Sequence, residues 1–69
     1  MNIIGYRELT REDIDLINEI KSMGVELQAL IDKLNDNFDV DQRWTAIGKT
    51  ALQQGLMALT RAVAKPDSF

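Results

Sequence analysis

Residues 44–65 read WTAIGKTALQQGLMALTRAVAK, and this stretch decides the fold that we expect. Small side chains recur along it at intervals of 3 and 4 residues: Gly48, Ala51, Gly55, Ala58 and Ala62. Large apolar side chains form a second stripe, beside Trp44 and Ile47: Leu52, Leu56, Leu59 and Val63. The alternating interval keeps each stripe on one side of an α-helix. A helix with two different apolar sides needs two neighbours, and a chain of 69 residues supplies only one other long helix. We therefore expect a second copy to supply the other.

The first long helix is predicted over residues 10–34, after an N-terminal arm at 1–9. Thr10 is a good N-cap, and Asp13 at the third helical position can reach back as in a capping box. An apolar seam follows with the same alternating interval: Ile17, Ile20, Gly24, Leu27, Ile31 and Leu34. Leu16, Met23 and Leu30 are expected to widen this seam into a core face. Gly24 either permits close approach of another helix or marks a kink, and the small stripe of the second helix favours close approach.

Residues 35–40 are predicted to form the turn, 41–64 the second helix and 65–69 a tail. Asn and Asp dominate the turn, and either Asp39 or Asp41 is expected to cap the second helix. Pro66 cannot continue that helix. The chain 1–69 is thus predicted to be a single all-α domain. It is a helical hairpin of two long antiparallel helices that assembles into a symmetric homo-oligomer.

The composition excludes several classes of function. The chain has no His and no Cys, which removes disulfides, thiolate metal sites and the commonest general base. The aspartates of the turn lack the glycine and the terminal glutamate of an EF-hand calcium loop. With no His and no Cys either, we expect no metal, no cofactor and no catalysis. A net charge of −3 argues against binding to DNA or RNA polymers. We predict neither a membrane span nor a signal peptide, and hence a cytosolic protein.

Two side chains are candidates for ligand contact. Tyr6 follows Gly5 on the arm. It either packs over the hairpin together with Ile3 and Ile4 or covers a ligand with its ring. Lys21 is either a surface lysine whose stem covers apolar side chains or an ammonium group aimed at a phosphate.

Three segments together carry a family resemblance: YRELTREDIDLINEIK at 6–21, DQRWTAIGKTALQQGLMALTRAV at 41–63 and KPDSF at 65–69. They resemble the phage-encoded anti-CBASS cyclic-nucleotide sponge proteins. The resemblance implies a helical hexamer in the cytoplasm of the infected bacterium. It would bind cyclic dinucleotides such as 3′,3′-cyclic GMP–AMP between protomers without cleaving them. CBASS effectors would then not be activated. Cyclic trinucleotides would bind at a separate symmetric site.

The resemblance also assigns site residues. By position, Tyr6 would stack on a base, Lys21 would contact phosphate, and Arg61 would take part in trinucleotide binding. Met23 stands where a polar residue of the trinucleotide site is expected, so the dinucleotide site carries over more fully. The chemistry of the residues agrees, because a dianionic ligand with flat bases needs cations and aromatic or guanidinium faces, which Tyr6, Arg7 and Lys21 supply.

An alternative function is a protein–protein interaction module that binds a host protein through its apolar helix. Convergence of Lys21 and Tyr6 across a subunit interface would favour the ligand pocket, whereas a fully solvated Lys21 would favour the module. A hairpin that binds nucleic-acid polymers is disfavoured by the negative charge.

Overall fold

The fold is an α-helical hairpin. A computed structural model of the protein describes residues 8–65. Helix α1 spans Arg11–Asn35 and helix α2 spans Gln42–Ala64, with residues 36–41 between them. The two helices pack against each other, and no strand occurs within residues 8–65. The predicted all-α hairpin is confirmed, and each helix begins and ends within one residue of the bounds expected from the sequence. The proposal that 1–69 is one domain stays a prediction.

Helix α1 begins with the predicted capping box. The backbone N–H of Asp13 donates to Thr10 Oγ1 at 3.1 Å, and the backbone N–H of Thr10 donates to Asp13 Oδ2 at 3.0 Å. Glu12 and Asp13 also place negative charge in the first turn, where the helix dipole favours it. This start therefore depends only on residues close in sequence.

The turn is held by Asp41 and Gln42. Of the two predicted caps, Asp41 is the one used, because its carboxylate accepts from the N–H groups of Arg43 at 3.0 Å and Trp44 at 3.3 Å. Gln42 Nε2 donates to three backbone oxygens of the preceding segment: Leu34 at 2.9 Å, Asn37 at 3.1 Å and Val40 at 3.2 Å. The first residue of α2 is thus tied to the end of α1.

The two helices meet along the predicted seam of α1. All six seam residues are buried or half-buried, and Ile31 is the most enclosed of them at 6% exposure. Gly24 lies under Leu56 of α2, since a Cβ at Gly24 would come within 3.4 Å of Leu56 Cδ1. Gly24 therefore serves close packing, as expected, but its neighbour belongs to the large stripe of α2. The small stripe is not the partner.

Much of the expected core remains uncovered in one hairpin. Leu16, Met23 and Leu30 are exposed, with Met23 at 51%, so the prediction that they widen the core is wrong for the single chain. On α2, a Cβ at Gly48 or Gly55 would meet nothing within 4 Å. Leu16, Met23 and Leu30 flank the seam, and a hairpin of two helices has no third element to cover them.

Two threonines of α2 face α1 although they are polar. Thr45 is 9% exposed and Thr60 is half-buried. Their hydroxyls donate within the helix, to Asp41 O at 3.1 Å and to Leu56 O at 2.9 Å respectively. Because each hydroxyl has a backbone partner four residues back, both side chains can lie at the interface without an unpaired donor.

Helix α2 ends at Lys65, which adopts a left-handed backbone conformation with φ of 46°. Its N–H donates to Arg61 O at 2.8 Å and closes the last turn. Neither α1 nor α2 has the length and apolar character that a membrane span requires. The predicted tail beyond Lys65 lies outside the described residues.

Candidate functional site

Lys21 lies at the rim of a groove between the two helices. The groove has a volume of about 290 Å³. The residues that line it come from the middle of α1 and the second half of α2: Ile20, Lys21, Gly24, Leu56, Met57 and Thr60. The Lys21 side chain is exposed in the single hairpin. The structure thus places the predicted phosphate-contacting residue beside a mainly apolar groove.

No acidic residue lies three or four positions from Lys21 on its helix. Helical neighbours lie three and four positions away, and for Lys21 these are all uncharged: Ile17, Asn18, Gly24 and Val25. Arg11, by contrast, forms an ion pair with Asp15 at 3.4 Å. Across the groove, α2 contains no Asp or Glu at all. Among residues 8–65, the ammonium group therefore has no acidic partner three or four positions away on α1 and none on α2, although the whole chain is acidic.

The other predicted site residues are not gathered at this groove. Tyr6 and Arg7 lie outside residues 8–65, so their convergence with Lys21 stays a prediction. Arg61 is exposed in the last turn of α2 and does not line the groove. In the described part of the chain, Lys21 is instead brought together with Met57 and Thr60, which the sequence argument had not selected.

A second apolar cleft, of about 340 Å³, lies at the turn end of the hairpin. Leu30 and Leu34 contribute one side of it, and Trp44 and Leu52 contribute the other. Trp44 is 66% exposed, and Phe38 in the nearby turn is fully exposed. This end of the hairpin presents apolar surface that one copy does not cover.

The described residues show no cluster suited to metal binding. Within residues 8–65, no three His, Cys, Asp or Glu side chains come together in a way that could hold an ion. The prediction that the aspartates of the turn act in capping fits the contacts of Asp41, whose carboxylate accepts two helix N–H groups.

Fold and site together define a class: small all-α hairpin proteins with a cation-rimmed interhelical groove and extensive uncovered apolar surface. Residues 1–64 match the family model of the Acb2/Tad1 hairpin domain, and the chain belongs to that family. The predicted membership in the phage anti-CBASS family is thereby confirmed.

One relative is Anti-CBASS protein 2 of Pseudomonas phage JBD67, which is 36% identical over 99 residues. The match covers 94% of this chain and 92% of the relative. The matched region is longer than the present chain of 69 residues because the relative carries additional residues within it.

Proposed function

We propose that this protein counteracts CBASS defence by binding cyclic nucleotide second messengers and holding them away from their effectors. The ligands are cyclic dinucleotides such as 3′,3′-cyclic GMP–AMP, with cyclic trinucleotides at a separate site. The protein acts in the cytoplasm of the infected bacterium. The observation that carries this proposal is membership in the Acb2/Tad1 hairpin family, together with the likeness to a phage protein named Anti-CBASS protein 2.

The surroundings of Lys21 support an anionic ligand. A cyclic dinucleotide carries two phosphates and two flat bases, so it needs a cation next to apolar surface. Lys21 has no acidic residue three or four positions away on α1, and it borders a groove with mostly apolar lining. An ammonium group in a chain of net charge −3 makes this a local site of anion attraction.

We further propose that the ligand is sequestered and not cleaved. Hydrolysis of a phosphodiester needs a general base, a nucleophile or a metal centre. The chain has no His or Cys, and the groove residues include no carboxylate. A binding protein of this kind acts by mass action, because each protomer made removes ligand from the free pool.

Assembly into a homo-oligomer is part of the proposal. Within residues 8–65, one protomer leaves large apolar side chains of both helices exposed, among them Val25, Met23 and Leu59. Contiguous exposed apolar surface is typical of an interaction site. Packing against other copies would cover these side chains, and the hexamer expected from the resemblance is one such closed assembly.

The decisive experiment is calorimetric titration of the purified protein with 3′,3′-cyclic GMP–AMP, followed by denaturation and chromatography of the released ligand. We expect saturable binding and recovery of intact ligand. Recovery of linear or hydrolysed nucleotide would contradict sequestration without cleavage. Absence of binding would contradict the cyclic dinucleotide proposal altogether.

A second candidate is the protein–protein interaction module. The exposed aromatic side chains of Phe38 and Trp44 at the turn end favour it, since aromatic residues are enriched at interfaces. If titration shows no binding, pull-down from host lysate with Trp44→Ala as the comparison variant tests this function. Loss of a captured host protein in the variant would support it.

A further inference from the structure

The groove beside Lys21 is small enough to accept one part of a ligand. Its volume of about 290 Å³ lies at the lower limit of ligand pockets, which hold about 300–1,000 Å³. Gly24 and Leu56 close its floor by packing together, since Leu56 Cδ1 stands 3.4 Å from the position of a Cβ at Gly24. One nucleobase fits this description better than a whole cyclic dinucleotide does.

Met57 supplies an apolar wall on the α2 side of the groove. Its side chain is 67% exposed, so it is available for contact. Methionine is flexible and its sulfur is polarizable, which lets it follow the surface of an aromatic ring. Ile20 provides apolar surface on the α1 side. A flat base placed in the groove would therefore meet apolar side chains of both helices.

Thr60 supplies the polar group of the same wall. Its hydroxyl hydrogen is already donated to Leu56 O at 2.9 Å. The oxygen retains lone pairs and can only accept a further hydrogen bond while that contact is kept. This group therefore selects a ligand atom that donates, such as the exocyclic amine of a base.

We propose that Met57 and Thr60 read one base of the bound cyclic dinucleotide while Lys21 holds a phosphate at the rim. The inference rests on the proposed function and adds two residues and a chemical preference to it. An adenine donates through its exocyclic amine, whereas hypoxanthine has a carbonyl at that position, so an acceptor would stand where the Thr60 oxygen needs a donor. The site prefers the amine-bearing base.

The test compares 3′,3′-cyclic di-AMP with its inosine analogue on wild type, Thr60→Val and Thr60→Ser. Wild type is expected to bind cyclic di-AMP more tightly than the inosine analogue. Thr60→Val keeps the shape without the hydroxyl and should lose about tenfold in affinity for cyclic di-AMP, the size of one hydrogen bond. Its affinity for the inosine analogue should change little.

Two variants serve as controls. Thr60→Ser keeps the hydroxyl and should behave as wild type. Thr50→Val makes the same change as Thr60→Val at an exposed position of α2 outside the groove, and it should also behave as wild type.

Met57 is tested with 3′,3′-cyclic GMP–AMP. Met57→Ala should weaken binding several-fold, and Met57→Leu should restore most of it because an apolar contact returns. Far-ultraviolet circular dichroism and sizing chromatography show whether each variant keeps its helices and its assembly.

The outcomes separate the two proposals. If wild type binds none of these cyclic dinucleotides, the proposed function fails, and this inference fails with it. Only the base-reading role is overturned if wild type binds 3′,3′-cyclic GMP–AMP but binds cyclic di-AMP no more tightly than the inosine analogue. The same holds if folded Thr60→Val and Met57→Ala bind these ligands as wild type does.

Discussion

Lys21 and Lys33 stand on the same helix and differ in their neighbours. Both side chains are exposed. Lys33 lies in the last turn of α1, where a cation favours the helix dipole, and Asp36 follows three positions later. Lys21 stands mid-helix beside the groove, with no acidic residue three or four positions away on α1. The end of the helix and Asp36 thus account for Lys33, whereas Lys21 is the lysine that we propose contacts the ligand.

Replacement of Lys21 by Ala is expected to weaken binding of 3′,3′-cyclic GMP–AMP by roughly 10- to 100-fold, since a hydrogen bond to a charged group contributes about 1.5–3 kcal/mol. Calorimetric titration measures the loss. The affinity of wild type should also fall as salt is raised, and this dependence should be weaker in Lys21→Ala.

Lys33→Ala is the matched control, because it removes the same charge from the same helix away from the groove. Equal losses in the two variants would mean that only net charge matters and that Lys21 has no specific contact.

Tyr6 carries the stacking part of the proposal. Tyr6→Ala should cost about 1–3 kcal/mol of binding free energy, the value of stacking on one base. Tyr6→Phe keeps the ring and should retain most of the affinity. The two variants are compared by the same titration, with sizing chromatography to show that the assembly is intact. Wild-type affinity in Tyr6→Ala would assign this side chain to packing, the other role that the sequence allows.

The two helices differ in charge as well as in apolar pattern. Helix α1 carries six acidic and three basic residues, whereas α2 carries Arg43, Lys49 and Arg61 and no acid. The acidic character of the chain therefore resides in α1 and the turn. Surface left open on α2 is free of negative charge, which suits both an anionic ligand and the acidic helix of another copy.

The end of α2 offers a test of helix stability. Lys65 holds φ of 46°, a conformation that costs an L-residue about 1–2 kcal/mol and costs Gly little. Lys65→Gly should raise the melting temperature, with a net gain below about 1 kcal/mol, because Gly also gains entropy in the unfolded chain. Thermal unfolding followed by circular dichroism measures it. Lys65→Ala removes the charge without relieving the backbone, and a gain in that variant too would point to charge as the cause.

The sequence predicts the helix starts well and the uncovered faces poorly. Thr10 and Asp13, three residues apart, hold all the information of the capping box, and Asp41 needs only the two N–H groups that follow it. Burial of Leu16, Met23 and Leu30 would require a partner that a single hairpin does not contain. Apolar periodicity indicates which residues need burial but does not indicate what covers them.

The sequence does not predict the groove beside Lys21, for a different reason. Its residues come from both helices, so finding them requires the register across the turn. Gly24 and Leu56 are equally distant from Val40, at the end of the turn. Neither the predicted turn 35–40 nor the observed turn 36–41 is centred at Val40, so the bounds of the turn alone do not give which residues of the two helices face each other. Lys21 is a candidate from the sequence, and the resemblance gives it a role, but Met57 and Thr60 required the structure.

At the level of the whole molecule, the open small stripe of α2 invites a test of assembly. In residues 8–65, nothing lies within 4 Å of the Cβ that Gly55→Leu would add, and Leu is a better helix former than Gly by roughly 1 kcal/mol. If the stripe packs against another copy, the variant should keep its helical signal but elute as a smaller species. Light scattering after sizing chromatography measures the mass.

Gln53→Leu adds the same side chain at an exposed position of α2 that belongs to neither apolar stripe, and it should keep the wild-type mass. A wild-type mass for Gly55→Leu would remove the stripe from the subunit interface.

The hydrogen bonds that Gln42 makes across the turn bear on how fast the hairpin folds. Its contacts span at most eight residues, and helix caps at Thr10 and Asp41 are equally local. Chains dominated by local contacts fold in microseconds to milliseconds, whereas subunit association is slower and depends on concentration. If the ligand site needs the proposed assembly, each hairpin would fold quickly, but the number of complete binding sites would depend on association. Because association depends on concentration, the number of sites would rise more steeply than the concentration of the protein. A high level of expression early in infection would therefore favour binding of the messenger before its effector is activated.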